Sequence, residues 1–467
     1  MTAAGRRVTL ASGAVLGLVL GLVLVAARPS PAIAATGDLG FVGPSTAGDG
    51  SAATGEKPES KLWWNDGTWW SVLFDTGSQT HHIYRLDRST EQWLDTGTVV
   101  DNRPKTRSDT LWDGTKLYVA SHVRASSSSG AASGNPARLY RYSYDQATRT
   151  YARDPGFPVQ INNYSSETLT IDKDATGVVW ATWTQGSAVY VNNTTGGDAT
   201  WGVPFVLPGT DASGLSSDDI SAVVSFAGSR TGVMWSNQAK SAVYFAEHPD
   251  GAQRTTWDVS RTAIQGPNSA DDHINVKSLQ TDGSGRVFAV IKTSLDDAGA
   301  AKSAPLIMLL ARDPSTGTWS SYPVGRIQDC HTRPVLLLDP EHQTLYAFMT
   351  APESGCPYTG YPGTIFMKCS SMSNIAFPAG RGTPVIRDAL SPNMNNVTAT
   401  KQSVDSVTGI VVMASNDVTQ RYWHADIALA GPGCATDAAP SPSISTSAPP
   451  TPSPSIATSK PSHGKGR

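Results

Sequence analysis

One unit recurs through most of the chain and limits the folds that the chain can adopt. Each copy has an apolar strand, a turn that usually holds glycine, and an aromatic or apolar residue a few positions later. The copies pair Gly67 with Trp70, Gly114 with Tyr118, Gly177 with Trp180, Gly232 with Trp235, Gly285 with Phe288, Gln343 with Tyr346 and Gly409 with Val412. An aspartate often opens the turn, at Asp66, Asp113, Asp172, Asp282, Asp339 and Asp405.

The spacing of these units predicts the architecture. They lie roughly 47 to 66 residues apart, and units of about 40–50 residues with four short strands are typical of β-propellers. No helical periodicity competes with this pattern. The sequence therefore predicts an all-β propeller over residues 58–435, with seven four-stranded blades; six blades are the alternative.

A second signature, Asp-x-x-Thr-x-x-aromatic, occurs at residues 87–93, 145–151 and 313–319. Asp and Thr close tight hairpins through side-chain-to-backbone hydrogen bonds, and the aromatic residue is expected to pack between neighbouring sheets. The signature resembles the Asp-box and related turns of sialidase-type propellers, and the tryptophan-rich segment 61–70 resembles other secreted bacterial propellers. The resemblance implies the fold alone, because the sequence does not identify the arginine triad and Tyr–Glu pair of a sialidase site.

The first residues have the pattern of an export signal. Arg6 and Arg7 precede an apolar run over 8–27, and small residues follow up to Ala34. This pattern predicts a cleaved signal peptide over residues 1–34, with an uncleaved membrane anchor as the alternative. We therefore expect a secreted, extracellular protein with no membrane span after cleavage; association with the cell surface is the alternative.

The two ends of the predicted propeller carry further expectations. The last unit supplies only three strands, so residues 35–57 are predicted to add the fourth, which closes the ring and removes free sheet edges. Residues 436–467 consist mostly of Pro, Ser, Thr and Ala. Such a composition offers little apolar surface to bury, so it predicts a disordered tail.

Four cysteines, Cys330, Cys356, Cys369 and Cys434, suggest two disulfides in an exported chain, and three pairings are possible. Placing the cysteines on the two faces of a propeller favours Cys330–Cys356 and Cys369–Cys434. Their spacing does not suggest a zinc site, and the sequence predicts neither a metal nor another cofactor.

The charge balance limits the partners. With 36 basic and 39 acidic residues the formal net charge is −3, which argues against nucleic-acid binding. The sequence shows no nucleophile elbow, nucleotide loop or metal motif. It also shows no oligomerisation element, so we expect a monomer.

Candidate site residues come from the predicted starts of the innermost strands, where loops of a propeller converge on the central channel. The candidates for catalysis are Asp109, Glu167, Asp219, Asp272 and His273. The candidates for ligand binding are Arg103, Arg107, Arg333, His331, Lys401, Trp63 and Trp64. Solvent exposure of strand starts would explain polar residues there equally well, and core packing is the commoner use of tryptophan.

These residue types fit two functions. Arginine and aromatic side chains suit the binding of an extracellular polysaccharide, glycoconjugate or cell-surface partner through one face of the channel. A pair of carboxylates about 5–9.5 Å apart would instead allow glycoside cleavage. The sequence favours binding without catalysis, and a carbohydrate-active hydrolase or lyase is the alternative.

Overall fold

A computed structural model describes residues 36–55, 57–103, 105–271, 274–282, 284–351 and 363–429. These residues form seven antiparallel sheets, each built mainly from one sequence unit. The seven-bladed propeller is therefore confirmed, and the six-bladed alternative is excluded. Helical structure within the described residues is limited to four 3-10 turns, Ser128–Gly130, Thr210–Ala212, Gln238–Lys240 and Ile327–Asp329.

The strands of each blade run from the central channel outwards, apart from β1 (Phe41–Ser45), which is an outer strand. Blade 1 contains β2 (Leu62–Asn65), β3 (Thr68–Asp75), β4 (Thr80–Asp87) and β5 (Gln92–Val99). Blade 2 contains β6 (Thr106–Trp112), β7 (Lys116–Val123) and β8 (Ser133–Asp145), whose outer edge pairs with both β9 (Thr150–Arg153) and β10 (Val159–Tyr164). Blade 3 contains β11 (Thr170–Lys173), β12 (Val179–Gln185), β13 (Ala188–Asn193) and β14 (Phe205–Val206).

The remaining blades follow the same order. Blade 4 contains β15 (Ser221–Phe226), β16 (Arg230–Asn237), β17 (Ala242–Pro249) and β18 (Arg261–Gln265). Blade 5 contains β19 (Ile274–Thr281), β20 (Val287–Lys292), β21 (Pro305–Arg312) and β22 (Trp319–Arg326). Blade 6 contains β23 (Thr332–Asp339), β24 (Thr344–Ala351), β25 (Thr364–Ser371) and β26 (Thr383–Ile386). Blade 7 contains β27 (Met394–Thr398), β28 (Ile410–Asn416) and β29 (Arg421–Ile427).

The N-terminal strand completes blade 7. β1 pairs antiparallel with β29, and Phe41 lies opposite His424. The outer edge of the last sheet is thus covered by a strand from the other end of the described chain. Pairing of this kind removes an open sheet edge and holds the first and last blades together.

The repeated turn depends on a left-handed backbone. Gly67 has φ +73° and Gly177 has φ +91°, a region that residues with a Cβ rarely adopt. Gln343 replaces glycine in blade 6 and still takes φ +51°. Gly232 differs from the others because it lies inside β16, where an added Cβ would clash with the ring of Phe245.

The repeat anchors form the core between blades. All seven are buried: Trp70, Tyr118, Trp180, Trp235, Phe288, Tyr346 and Val412. The aromatic residues of the three hairpins pack against the preceding blade, as the sequence predicts. The indole Nε1 of Trp93 donates to His424 Nδ1 at 3.2 Å, and the ring centroids of Trp70 and Tyr151 are 5.0 Å apart. The ring centroid of Trp319 lies 5.2 Å from that of Phe245.

The aspartates of these hairpins also act as predicted. Asp313 Oδ1 accepts hydrogen bonds from the backbone nitrogens of Ser315 and Thr316, both at 2.9 Å. Together with the bond from the Ser315 hydroxyl, these contacts lower the pKa of Asp313 to about 2. The sequence signature therefore marks a turn held by a charged acceptor.

Several predictions fall on other parts of the chain. The signal peptide, the tail, Cys356 and Cys434 lie outside the described residues, so the two disulfide pairings stay predictions. The described residues include no free cysteine. They also include no helix that is long and apolar enough to cross a membrane.

Candidate functional site

The segment 46–61, which we call the channel segment, runs from β1 to β2 and covers the inner-strand starts where the sequence placed its candidates. Lys57 Nζ lies 2.8 Å from Glu167 Oε1, and both side chains are buried. Arg107, also buried, lies 3.0 Å from Asp49 Oδ1. Two predicted site residues thus form ion pairs with the protein's own N-terminal segment.

Further charged groups of the channel segment are equally enclosed. Glu59 and His122 are fully buried and hydrogen-bonded to each other through Oε1 and Nε2. Lys61 is also fully buried, and the loss of water around it lowers the pKa of its ammonium to about 8. Removing one partner of a buried ion pair strongly destabilises a protein, because the other charge stays buried without compensation. The channel segment is therefore an integral part of the core.

Other predicted site residues also have internal partners. Arg103 pairs with Asp101 at 2.6 Å. Asp219 is fully buried and accepts a bond from the backbone nitrogen of Ser216 at 2.7 Å. His331 is buried, and this burial lowers its pKa to about 3, so its imidazole stays neutral at neutral pH.

The structure describes three of the remaining candidates, Trp63, Trp64 and Arg333. Trp63 is buried, and its Nε1 donates to Tyr151 Oη at 2.9 Å. Trp64 is half-buried beside Trp69, with ring centroids 5.5 Å apart. Arg333 is half-buried at φ +48°. Asp272 and His273 lie outside the described residues.

A cavity of about 620 Å³, the central cavity, lies where the inner strands of several blades end. Its wall includes the ends of β6, β11 and β15 and the residues that follow β27. Pro58 of the channel segment also lines it. The central cavity is therefore at the opposite ends of the inner strands from the predicted entrance, with the channel segment between them.

Lys401, a predicted site residue, lines this cavity and pairs with Asp109, a second predicted residue that is not part of the lining. Lys401 Nζ lies 2.6 Å from Asp109 Oδ2, so the pair joins blade 2 to the end of the last inner strand. Asp109 is fully buried and also accepts bonds from the backbone nitrogens of Ser60 and Ile171, each at 2.8 Å. Burial raises the pKa of Asp109 even though Lys401 opposes the shift. Its oxygens are thus engaged within the protein, and Asp109 positions Lys401.

Asp172 offers a carboxylate to the cavity from the end of β11. It is half-buried, and its Oδ2 accepts a bond from the backbone nitrogen of Ser225 in blade 4 at 2.7 Å. Its Oδ1 accepts a bond from the nitrogen of Lys173 at 2.8 Å. Burial raises the pKa of Asp172, with Lys401 again opposing the shift. The carboxylate is therefore held rigidly and binds a proton more readily than an exposed one.

Lys173 adds a fixed ammonium to the same wall. Its Nζ lies 2.7 Å from Asp113 Oδ2 and donates to Tyr118 Oη at 3.0 Å. Burial alone would lower the pKa of Lys173, but these partners raise it. Trp112, a half-buried aromatic residue, lines the cavity beside them.

Sequence reasoning assigned Asp113 and Asp172 to turns and did not include Lys173. One signal could have indicated Asp172 and Lys173. The run Asp172-Lys173-Asp174 concentrates charge at the end of an inner strand, whereas a turn needs a single aspartate.

Acidic and histidine side chains also approach one another outside the lining of the central cavity. One such group is Asp75, His82 and Asp95, in which His82 Nδ1 already lies 2.9 Å from Asp95 Oδ2. A second contains Asp339 and His342, whose paired atoms are 2.7 Å apart. Their internal hydrogen bonds account for these arrangements without an ion.

Comparison with known proteins gives structural likeness only. No family model matches the chain, and no curated protein does. The polysaccharide lyase Uly1 is similar over 84% of this chain and 98% of its own, with 10% identity and a TM-score of 0.45. Hydrazine synthase of Kuenenia stuttgartiensis covers 82% of this chain and 99% of its own, with 12% identity and a TM-score of 0.45.

A third similar structure is CoXyl43, a GH43 β-xylosidase/α-arabinofuranosidase from a compost microbial metagenome. It covers 61% of this chain and 98% of its own, with 9% identity and a TM-score of 0.33. These low identities and TM-scores assign neither a family nor an activity to this chain. The resemblance of its hairpins to sialidase-type turns is likewise unconfirmed.

Proposed function

We propose that this chain is an exported propeller that binds an extracellular carbohydrate in the central cavity. The observation that carries the proposal is that a fixed carboxylate, Asp172, and a fixed ammonium, Lys173, line the same cavity as the aromatic residue Trp112. Ligand pockets of about 300–1,000 Å³ are common, and the central cavity has about 620 Å³. It thus has room for a small saccharide or the end of a longer one.

The chemistry of a sugar matches these groups. Its hydroxyls donate to a carboxylate and accept from an ammonium, and its apolar ring face packs on an aromatic side chain. Asp172 is held by the backbone of two neighbouring inner strands, so little side-chain freedom remains to be lost on binding. This rigidity supports recognition of a defined arrangement of hydroxyls.

One observation favours a second candidate function. Asp172 lines the cavity with a raised pKa, which is the property that a general acid needs near neutral pH. A carbohydrate-active hydrolase or lyase would use Asp172 as the proton donor. Asp109 would then act through Lys401, because it is fully buried and Lys401, unlike Asp109, lines the cavity.

The test is to present purified protein to a panel of neutral and acidic polysaccharides and to measure both retention and small products by mass spectrometry. We expect retention on one polysaccharide, and we expect Asp172→Asn to weaken it at least about tenfold, as loss of a charged hydrogen-bond acceptor would. Asp313→Asn is the matched control, because it makes the same change in a hairpin of blade 5 and should leave retention unchanged.

The other outcomes separate the candidates. Oligosaccharide products that disappear with Asp172→Asn would establish the enzyme. Retention that survives Asp172→Asn with an unchanged melting temperature would contradict the assigned site. If the protein shows neither retention nor products across the panel, that result contradicts a carbohydrate function.

A further inference from the structure

A second cavity of about 750 Å³, the rim cavity, lies away from the channel between blades 2 and 3. One wall is the outer strand β10, and the other comes from β13 and the residues that connect it to β14. It shares no lining residue with the central cavity among the residues that the structure describes. It is therefore a separate place on the molecule.

The rim cavity differs from the central one in its chemistry. Its described lining contains no Asp, Glu, Lys, Arg or His. Three half-buried aromatic residues, Tyr164, Tyr190 and Trp201, line it together with amide side chains such as Gln160, Asn163 and Gln185. An uncharged surface of this kind offers apolar contact and neutral hydrogen bonds but no ion pair.

The aromatic residues are held in place by their surroundings. The ring of Tyr190 lies parallel to that of Trp183, at 17° and a centroid distance of 5.9 Å. Trp201 follows a tight turn in which the nitrogen of Thr195 donates to the carbonyl of Thr200 at 2.8 Å. The indole nitrogen of Trp201 is buried, so the exposed part of this half-buried ring is carbon.

A buried amide joins the two walls. Asn192 Nδ2 donates to the carbonyl of Ile161 in β10 at 2.8 Å and to the carbonyl of Gly202 at 2.9 Å. Ile161 and Gly202 both line the cavity, one on each wall. The cavity is therefore built into the contact between two blades and does not depend on a free loop.

We propose that the rim cavity binds a neutral saccharide. Apolar faces of sugar rings pack on aromatic carbon, and amide groups both donate to and accept from sugar hydroxyls. A uronate or a phosphate would lose its hydration here without gaining a cation, and burying an unpaired charge is costly. The inference does not depend on the central cavity, because the two cavities have separate linings.

The experiment titrates neutral hexasaccharides of glucose, xylose and mannose into the purified protein and follows tryptophan fluorescence and calorimetry. A hexamer of galacturonate serves as the charged probe, and a synthetic peptide of residues 436–467 as the peptide probe. We expect one neutral hexamer to bind in the rim cavity, and we expect Trp201→Ala to leave any binding of the galacturonate hexamer unchanged. Trp201→Ala and Tyr190→Ala should each raise the Kd of the neutral hexamer about tenfold, which is about 1.4 kcal/mol, since each removes an aromatic ring on which a sugar packs.

Three controls locate the site. Tyr322→Ala removes a half-buried tyrosine from the outer strand of blade 5 and should not change the Kd. Asp172→Asn should also leave this binding unchanged, which separates the rim cavity from the central one. Asn163→Ala changes an exposed residue of the lining, so it should leave the fold intact and still weaken binding. It keeps the test valid if the ring variants fail to fold.

The results that overturn the proposal are distinct from failure of the proposed function. Saccharide binding that is lost in Asp172→Asn but unchanged in Trp201→Ala, Tyr190→Ala and Asn163→Ala would leave the central site standing and remove the rim site. Binding of the galacturonate hexamer that is weakened by Trp201→Ala and unchanged by Asp172→Asn would reject a neutral ligand for the rim cavity. Binding of the peptide in place of every saccharide would assign the cavity to a peptide.

Discussion

The central and rim cavities are similar in size and opposite in chemistry. In the central cavity Lys173 and Lys401 are each held within 2.7 Å of a carboxylate, and the carboxylate of Asp172 is fixed by backbone donors. In the rim cavity the described lining has aromatic rings and amides without acidic or basic residues. One propeller thus offers two kinds of surface, because the ends of its inner strands carry charge and the contact between its blades carries rings.

This difference predicts that substitutions at the central cavity reduce the stability of the protein most. Lys401→Met should destabilise the protein most, by about 3 kcal/mol, because it leaves the buried carboxyl of Asp109 without its cation. Urea unfolding measures the change. Lys240→Met removes an exposed pair with Asp211 and is the control, for which we expect no measurable change. Equal stability of the two variants would show that the central pair does not hold the fold.

The next prediction concerns Asn192, the side chain that joins the two walls of the rim cavity. Asn192→Ala should cost about 2 kcal/mol of unfolding free energy, since it leaves the buried carbonyl of Ile161 and the carbonyl of the half-buried Gly202 without this donor. It should also reduce neutral saccharide binding while leaving retention at the central cavity intact. A parallel loss at both cavities, measured by titration at matched folded fractions, would show that they are coupled.

The two cavities should respond differently to pH. The pKa of Asp172 lies above the ordinary aspartate value, so its carboxylate is lost at a higher pH on acidification than an exposed carboxylate would be. Central binding that uses this acceptor should therefore weaken as pH falls through that raised pKa, and rim binding should stay constant. Titrations from neutral pH down to about pH 4 check both statements. If Asp172 serves as a proton donor, turnover would instead fall as pH rises.

The smallest expected effect concerns the hydroxyl of Tyr190 in the rim cavity. Tyr190→Phe keeps the ring that lies parallel to Trp183 and removes only the hydroxyl. We expect less than about a threefold change in Kd, because the stacking surface is retained. A tenfold loss would show that the hydroxyl itself bonds to the ligand.

Much of the fold could be predicted because it repeats. Strand, turn and buried anchor recur at similar intervals, and even the unit without glycine keeps its left-handed turn at Gln343. The missing strand of the last unit indicated that another segment had to complete it, and β1 lies there. Both inferences rest on local pattern and on the need to pair every sheet edge.

The site was harder to predict because its contacts do not repeat. Lys57 and Glu167 are 110 positions apart, and Arg107 and Asp49 are 58 apart, so no local pattern reveals that they pair. The residues that enclose the rim cavity, such as Tyr164 and Trp201, come from different blades and irregular positions. Sequence reasoning located the register of the inner strands but not which of their ends stays open.

The pairing of β1 with β29 determines when the ring can close during synthesis of the chain. The first strand of the propeller to be synthesised finds its partner only in the last, 383 residues later from Phe41 to His424. A chain that is interrupted anywhere before Arg421 therefore carries an unpaired strand at its beginning, however well its intervening blades have formed. Closure of the ring therefore waits until β29 has been synthesised, and a shorter chain exposes an unpaired sheet edge.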